Sequence, residues 1–410
     1  MGWLVMTNQY AQRARSLRGL IESEAAKPEN AMTMSPVVGD ALREQGLFWL
    51  LVPESLGGSD VSTVTFIEMV EELASSDAAT SWSLMANSVA TMVAATYSSD
   101  AHVKRMFGGD RLPIMTSTYA PTGKTTFADG FYRCSGTHSW GTGIGHADWV
   151  SGANVVFENG EPVVQANGKP KVVGAFLHKD QIRLAGNWDV VGLQATGSFD
   201  YEVPEQDIPA DWTFNQYWTE PQRPSKSANL GTMVVVCAGH TAVVLGIARR
   251  ALHEAAVTAS KKKRLHSADC IASTPVFQND FLQHEALFQA ARALTLDVFA
   301  EADRLAETGE ALSELQIQRV RQVTTWTHQV CKDIVNYAFG SVSSALRNPS
   351  MLGKCLSDVA VAAHHIVAGP MSLIDAAPQI IDSWAIDRMP WPGEQSVACP
   401  EKIRIEEFTK

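Results

Sequence analysis

The chain has 410 residues, of which 45% are apolar and 19% are charged, a balance typical of a folded globular protein. Its 33 basic and 44 acidic residues give a net charge of −11. Nucleic acid is therefore not an expected partner, because phosphate binding needs clustered Lys and Arg. The apolar stretches are too often interrupted to cross a membrane, and residues 1–6 lack the basic start of a secretory signal. We therefore expect a protein without membrane contact.

The six cysteines are far apart in the sequence and include no Cys-x-x-Cys pair. Scattered cysteines in a chain of this length are typical of buried thiols in a reducing compartment. No group of His, Cys and carboxylate residues has the spacing of a zinc site. We therefore expect a cytoplasmic protein that binds no metal.

The first stretch, residues 1–111, has helical periodicity. A turn is expected at residues 52–58, which contain one Pro and two Gly. Thr65 with Glu68 predicts a capping box at the start of one helix, and Asp77 predicts the N-cap of the next. In that next helix, apolar positions recur in steps of three and four, so one face is expected to pack on a core. The positions on this face include Trp82, Met85, Val89 and Thr96.

In the middle stretch, residues 112–213, the period changes to two. Apolar and acidic residues alternate over residues 199–203, as a half-buried strand requires. The Asn-Gly pairs at 159–160 and 167–168 predict hairpin turns. Short strands separated by turns, without a long helical pattern, indicate an antiparallel β-barrel or sandwich.

The last large stretch, residues 214–389, again has helical periodicity, and residues 390–410 are expected to be an irregular tail. Ser313 with Gln316 predicts a capping box at a helix start. Apolar residues at helical spacing predict a core-facing stripe on a preceding long helix. These residues are Leu287, Ala291, Leu294, Val298 and Leu305.

Four segments, in this order, resemble motifs of the acyl-CoA dehydrogenase superfamily. They are Gly-Leu followed by Pro-Glu and Gly-Gly within residues 46–58, Glu-Glu-Leu-Ala with Asp at 71–77, Asp-Gly-Phe-Tyr-Arg-Cys-Ser-Gly at 129–136, and Gly-Leu-Gln-Ala-Thr-Gly-Ser-Phe-Asp at 192–200. The resemblance covers nearly the whole chain. It implies an α+β fold with an N-terminal helical domain, a middle antiparallel β-barrel domain and a C-terminal four-helix bundle.

His365 separates the chain from most dehydrogenases of this superfamily. Those enzymes usually carry Tyr-Glu-Gly soon after an Arg-Asp pair, and the Glu removes a proton from an acyl thioester. Here Ser357-Asp358 is followed by Ala363-His364-His365-Ile366, so His365 falls where the Glu would be. A His at this place is similar to the two-component flavin-dependent monooxygenases, which include the oxygenases for 4-hydroxyphenylacetate and dibenzothiophene. His364 and His365 would point about 100° apart on a helix, so we expect only one of them to face a given pocket.

Residues 140–149, Trp-Gly-Thr-Gly-Ile-Gly-His-Ala-Asp-Trp, resemble a motif of the same monooxygenases and place Thr142 on their flavin-facing Ser or Thr. Hydroxyl groups suit a flavin because they hydrogen-bond without adding charge, and an imidazole suits proton work near neutral pH. The resemblance implies catalytic roles for His365, Thr142 and Ser198. It implies flavin contacts from Thr116, Ser117, Trp140, Thr142, Thr196, Ser198, Arg264 and Phe339. It implies substrate contacts from Trp82, Met85, Tyr97 and His365.

Each of these residues also has a purely structural interpretation. A Thr in a Gly-rich turn often serves backbone geometry alone, and an apolar stripe at helical spacing is usually core. The basic run at residues 261–264 is either a partner for flavin phosphate or a solvated helix end.

The sequence is therefore interpreted as the oxygenase component of a two-component flavin-dependent monooxygenase. By resemblance it is a homotetramer that takes reduced FMN or FAD, with FMN slightly preferred, from a separate flavin reductase. It would use O₂ through a C4a-hydroperoxyflavin to oxygenate a small aromatic substrate. Two alternatives stay open: an acyl-CoA dehydrogenase or desaturase with its base elsewhere, and a flavin or ligand carrier without catalysis.

Overall fold

The computed structural model describes residues 8–27, 30, 32–263 and 268–385. A helical region, a region of β-strands and a second helical region follow one another along the chain, so the predicted α+β class is confirmed. The tail predicted at residues 390–410 lies outside the described residues.

The N-terminal region packs short helices around two longer ones. Its helices are α1 (Gln9–Ser16), α2 (Arg18–Ala25), α3 (Pro36–Glu44), α4 (Thr63–Ser76), α5 (Ala78–Tyr97) and α6 (Asp100–Phe107). Asp77 caps α5 as predicted, because its side chain accepts a hydrogen bond from the N–H of Thr80 at 2.8 Å. The predicted cap of α4 is wrong: Ser62 is the N-cap and accepts from the N–H of Thr65, while Glu68 accepts from the side chain of Asn8.

Helix α5 is buried on nearly every side, and not on one face as its apolar spacing predicts. Polar side chains along it are as inaccessible as the apolar ones; they include Ser81, Ser83, Asn87, Ser88 and Thr91. Buried polar groups need hydrogen-bond partners, so the polar side of α5 must face other polar groups. Two of these residues are part of the candidate site described below.

The strands form one sheet. They are β1 (Met115–Ala128), β2 (Phe131–Gly141), β3 (Trp149–Glu158), β4 (Glu161–Pro162), β5 (Val172–His178), β6 (Arg183–Leu184), β7 (Phe199–Pro209) and β8 (Thr213–Asn215). The order is β6-β7-β2-β1-β3-β5-β8, with β4 beside β3. The Asn159-Gly160 pair forms the predicted turn between β3 and β4, with φ of +52° and +88°.

The sheet is mixed, whereas the sequence predicts a wholly antiparallel one. Strands β1 and β3 are parallel, and Met115 pairs with Trp149. The reason is the path of the chain: β2 returns antiparallel to β1, and residues 142–148 then cross the start of β1 to reach its other side. This crossing loop carries Thr142 to the N-terminal end of β1.

The C-terminal region consists of α7 (Lys226–Leu230), α8 (Thr232–Lys261), α9 (Pro275–Thr308), α10 (Glu314–Ser341), α11 (Met351–Ala362) and α12 (Pro370–Asp382). Helix α8 is at its centre and packs against α4, α5, α10 and α11. By length and composition α8 could cross a membrane, but most of its apolar stretch is buried inside the protein, as in the core helix of a globular fold. Ser313 and Gln316 form the predicted capping box of α10.

The stripe predicted on α9 is only partly core. Ala291 is buried, but Leu287 and Leu294 are 41% and 42% exposed. Helix α12 also has large apolar side chains on its surface. They are Met371, Ile374 and Ile381, with Trp384 just after the helix.

Candidate active site

Three hydroxyl side chains meet beside the start of β1, and we call them the hydroxyl cluster: Thr142, Thr196 and Ser198. Ser198 Oγ donates to Thr142 Oγ1 at 3.0 Å and shares a hydrogen bond with Thr196 Oγ1 at 2.9 Å. Thr196 and Ser198 are buried, whereas Thr142 is partly exposed. With Ser198 as the donor, the Thr142 hydroxyl keeps its own hydrogen for a group outside the cluster.

The turn that carries Thr142 is fixed by its backbone. The carbonyl oxygen of Thr142 accepts from Thr116 Oγ1 at 2.7 Å and from Asn87 Nδ2 at 3.2 Å. The N–H of Gly143 donates to the carbonyl of Thr196 at 3.0 Å. Gly143 has φ of +66°, and a Cβ there would collide with the Asn87 side chain, so this position requires glycine.

Helix α5 supports the hydroxyl cluster from one face. Asn87 Nδ2 also donates to the carbonyl of Met115 at 2.8 Å, and Ser83 Oγ donates to the carbonyl of Thr196 at 3.4 Å. Ser83 and Asn87 are four residues apart and therefore neighbours on the helix. Sequence reasoning did not identify them; the available signal was that they recur at helical spacing among the polar residues of α5.

The loop that carries Thr196 and Ser198 is anchored on α11. Asp358 accepts from the N–H of Leu193 at 2.6 Å, and Lys354 Nζ lies 2.7 Å from Asp358 and 3.2 Å from Asp77. Burial raises the pKa of the Asp358 carboxyl. At Gly192, a Cβ would collide with the carbonyl of Ser357. One ion-pair network, with two buried carboxylates and a partly exposed Lys354, thus joins the loop, α11 and the start of α5.

Three histidines from three elements form a second group, the histidine cluster: His240 on α8, His328 on α10 and His365 in the turn after α11. The rings of His240 and His365 are stacked with centroids 3.8 Å apart. Trp82 on α5 lies edge-on to both, at 4.6 Å from His240 and 5.7 Å from His365. The sequence identified Trp82 and His365 but not His240 or His328.

Hydrogen bonds between helices hold the histidine cluster together. Thr325 Oγ1 on α10 donates to the carbonyl of Val367 at 3.3 Å and so holds the His365 turn against α10. His328 is three residues further along α10, on the same face. Thr241 Oγ1 donates to Thr324 Oγ1 at 3.3 Å, which fixes α8 against α10 beside His240.

The three imidazoles are neutral at pH 7. Burial lowers the pKa of His365 and of His328 to about 4. Burial also lowers the pKa of His240 far below its usual value, with a further contribution from the neighbouring rings of His365 and His328. The cluster therefore offers hydrogen-bonding groups without charge.

The hydrogen bonds of two rings fix their tautomers. The N–H of Val367 donates to His365 Nδ1 at 3.4 Å, so the single proton of neutral His365 is on Nε2. His328 Nδ1 lies 2.7 Å from the carbonyl of Thr324. Because a carbonyl only accepts, Nδ1 carries the proton and Nε2 of His328 is an acceptor.

The sequence predicts His364 and His365 on a helix. The structure instead places them in the turn that follows α11. His365 is the N-cap of the short 3₁₀ turn Ile366–Ala368 and faces inward, whereas His364 is exposed. The structure therefore places His365, and not its neighbour, in the cluster. Met85 is buried against Gly239, next to His240.

Other predicted site residues lie elsewhere. Tyr97 is 15 residues after Trp82 on α5, about 22 Å along the helix axis. It borders a separate cavity of about 480 Å³ together with Tyr132 and Lys171. The structure therefore does not bring Tyr97 into a pocket with Trp82.

Phe339 is on α10, 11 residues after His328 and so about 16 Å along the axis, outside the histidine cluster. Ser117 follows Thr116 on β1 and points to the opposite face of the sheet. Its Oγ is buried with no hydrogen-bond partner among the described residues. Arg264 lies outside the described residues.

Trp140 is two residues before Thr142 and is exposed to solvent. Its φ is +70°, the residue is 64% exposed, and its ring stands edge-on to that of Trp188 at 5.6 Å. An exposed indole next to uncharged hydroxyl donors fits a flat, polar-edged ring system such as a flavin. Within the described part of the chain, no group of three or more His, Cys, Asp or Glu residues could hold a metal ion.

Comparison with known proteins gives two family matches. The family described as acyl-CoA dehydrogenase, N-terminal domain, matches residues 11–108. The family described as acyl-CoA dehydrogenase, C-terminal domain, matches residues 238–370. The matched parts correspond to the two helical regions.

Individual relatives agree with these matches. Indole-3-acetate monooxygenase from Pseudomonas putida is 25% identical over 359 residues, which are 86% of this chain and 87% of that protein. The oxygenase subunit HsaA of a flavin-dependent monooxygenase from Rhodococcus jostii is 30% identical over 198 residues, 48% of this chain and 50% of that protein. The structure of XiaF from Streptomyces sp. in complex with FADH2 and glycerol has a TM-score of 0.83 at 18% identity, covering 92% of this chain and 96% of that one.

Proposed function

Because the chain belongs to the acyl-CoA dehydrogenase family, we propose that it is the oxygenase component of a two-component flavin-dependent monooxygenase acting on a small aromatic substrate. The observation that carries this proposal is His365, a neutral imidazole with its proton on Nε2; by the sequence resemblance it replaces the carboxylate base of the family's dehydrogenases. The two curated relatives named above are monooxygenases.

Bound reduced FMN or FAD would supply the reaction with O₂ and the oxygen transfer. The groups that would hold it are the Thr142 hydroxyl, backed by Ser198 and Thr196, and the exposed face of Trp140. These groups are uncharged, so they can bind the ring edge without fixing its protonation state. The reducing equivalents would come from a separate flavin reductase.

His365 would act as a hydrogen-bond donor through Nε2–H. Its pKa of about 4 keeps the ring neutral across the physiological range, and the N–H of Val367 on Nδ1 keeps the proton on Nε2. Trp82 lies edge-on to this ring at 5.7 Å, and Met85 is buried against Gly239, next to His240. Low polarity around the ring strengthens any hydrogen bond that it donates.

The assembly we propose is a cytoplasmic homotetramer. The apolar side chains on the surface of α12 recur at helical spacing, with Met371, Ile374 and Ile381 each more than 60% exposed. Contiguous exposed apolar surface of this kind is typical of subunit interfaces. Native mass spectrometry is expected to find four copies, and Ile374→Glu should shift the protein to smaller species. A monomeric wild-type protein would contradict this assembly.

The test of the function is oxygen transfer. Protein is mixed anaerobically with reduced FMN or reduced FAD, then with aerated buffer containing a phenol or an indole. Oxygenated product and hydrogen peroxide are both quantified. The wild-type protein should form close to one oxygenated product for each reduced flavin that is oxidised. Thr142→Val and His365→Leu should lower the product by about tenfold or more, since each removes a hydrogen-bond donor proposed to face the flavin or the substrate, and release peroxide instead.

The matched control is Thr122→Val. Thr122 is also a β-domain threonine whose hydroxyl is hydrogen-bonded, to the carbonyl of Thr137 at 2.9 Å, but it is outside the hydroxyl cluster. It should leave product formation unchanged. If the wild-type protein releases one peroxide per flavin without product, and an acyl-CoA reduces bound oxidised flavin, the protein is a dehydrogenase and the proposal fails.

A further inference from the structure

His328 presents a hydrogen-bond acceptor that the protein does not use. Its Nδ1–H is committed to the carbonyl of Thr324 at 2.7 Å, so its Nε2 carries the lone pair. The ring is 1% exposed, and Nε2 has no hydrogen-bond partner among the described residues. A buried acceptor without a donor is destabilising, so this atom is suited to a donor that arrives with a ligand.

No charged side chain in the described part of the chain pairs with the histidine cluster. His240, whose ring stacks on His365 and lies against the edge of Trp82, also has a buried Nδ1 without a partner in the same described residues. In that part of the chain, no Asp, Glu, Lys or Arg side chain forms a salt bridge or a hydrogen bond with His240, His328 or His365. The three rings are neutral, so the cluster has no cation to offset a carboxylate.

The two fixed tautomers are complementary. His365 offers a proton on Nε2, and His328 offers a lone pair on Nε2. Both rings are held against α10 by hydrogen bonds of that helix, Thr325 to Val367 and His328 to Thr324. A ligand that reached both atoms would meet one donor and one acceptor.

We propose that His328 is a specificity-determining residue that accepts a hydrogen bond from the ring N–H or phenolic O–H of an uncharged aromatic substrate. This inference rests on the proposed function, because it places the substrate beside His365. It goes further because it names the residue that selects the substrate and the substrate group that this residue recognises. Sites that hydrogen-bond a ligand donor discriminate strongly against analogues that lack it, because the buried acceptor is then left unpaired.

Equilibrium binding tests the inference without turnover. Isothermal titration calorimetry of the full chain is performed with indole, with benzofuran, which has the same shape but no N–H, and with indole-3-acetate, which adds a carboxylate. Indole should bind about tenfold more tightly than benzofuran, the ratio expected for one hydrogen bond. Indole-3-acetate should bind more weakly than indole.

Variants separate recognition from folding. His328→Leu should weaken indole binding to the level of benzofuran and leave benzofuran unchanged, whereas His328→Gln, which keeps an acceptor, should retain part of the preference. The matched control is His138→Leu. Like His328, His138 is buried, with one ring nitrogen hydrogen-bonded and the other without a partner among the described residues. Unlike His328, it lies inside the β domain. It should keep the full preference.

The inference would be overturned if indole and benzofuran bound equally, or if neither bound. It would also be overturned if indole-3-acetate bound more tightly than indole, or if His328→Leu kept the full preference for indole. These outcomes are independent of the oxygen-transfer assay. A protein that oxygenates aromatics yet binds indole and benzofuran equally would keep the proposed function and lose only the role of His328.

Discussion

The carboxylate of Asp358 accepts a hydrogen bond from the backbone N–H of Leu193 at 2.6 Å, across 165 positions of sequence. Leu193 has φ of +52°, a left-handed conformation that a branched side chain adopts only when its surroundings enforce it. The hydrogen bond therefore helps to hold the loop that ends in the hydroxyl cluster. The C-terminal bundle, through this contact, positions groups that belong to the β domain.

Asp358→Ala should lower both stability and flavin affinity. The change leaves the N–H of Leu193 without its acceptor and removes one of the two carboxylates beside Lys354. Lys354 is 37% exposed, so solvent weakens its ion pair, whereas the unpaired buried N–H of Leu193 costs roughly 1–3 kcal/mol. Thermal unfolding should show a lower midpoint, and anaerobic titration should show weaker binding of reduced flavin. Asp207→Ala is the control, because its ion pair with Arg133 is exposed and should contribute little. Unchanged flavin affinity in Asp358→Ala would show that the loop does not depend on this contact.

Gly192→Ala should impair oxygen transfer with a modest effect on folding. A Cβ at this position would lie inside contact distance of the Ser357 carbonyl, so the loop must move away from α11 and carry Thr196 and Ser198 with it. A displacement of about 1 Å at a catalytic site can cost roughly 100-fold in rate. The product yield per reduced flavin measures this effect. Gly340→Ala, where a Cβ meets nothing within 4 Å, should have full activity.

Acid should destabilise the folded protein through the histidine cluster. Burial lowers the pKa of His365 and His328 from 6.5 to about 4, so these rings stay neutral in the native state while the unfolded chain takes up protons. The free energy of unfolding is therefore insensitive to these groups above about pH 7 and falls as the pH drops from about 6.5 towards 4.

The measurement is the midpoint of thermal unfolding between pH 8 and pH 5. His328→Leu should make the decline on the acid side shallower, because one group that titrates only in the unfolded state is removed. His364→Leu removes an exposed imidazole and should leave the slope as it is. An identical acid slope in wild type and His328→Leu would contradict the neutral state assigned to His328.

The sequence predicted elements better than their pairing. Period-two alternation located strands, and Asp77 and Ser313 were identified as caps because capping depends on residues close in sequence. The direction of β3 beside β1 depends on where the chain crosses after β2, which alternation does not encode. The distance between Trp82 and Tyr97 could have been predicted from the sequence. The two residues are 15 positions apart on one helix, so they lie far apart along its axis even if they are on the same face.

The candidate site was predicted only where the family resemblance provided a position. His365 and Thr142 were found in this way. His240 and His328 were missed because a single His on an apolar helix is usually a core residue, and nothing in the sequence links positions on three different elements. Only tertiary packing brings the rings together and leaves one acceptor unused.

Asn87 gives the sharpest test of the support beneath Thr142. Its Nδ2 donates to two carbonyl oxygens, those of Met115 and Thr142. Asn87→Asp keeps the size of the side chain but replaces this donor with an oxygen, so two carbonyls would face a carboxylate in a buried place. The Thr142 turn should move. Reduced-flavin binding should then weaken by about tenfold, the effect of losing the one hydrogen bond proposed between the Thr142 hydroxyl and the flavin.

Asn229→Asp is the matched control. Asn229 Nδ2 donates to the carbonyl of Ala306 at 3.0 Å, so the same exchange breaks the same type of hydrogen bond, but between α7 and α9 and away from the hydroxyl cluster. Both variants should lose stability in thermal unfolding, and only Asn87→Asp should lose flavin affinity. If the two variants lose flavin affinity equally, the effect is one of general stability, and Asn87 has no particular part in positioning Thr142.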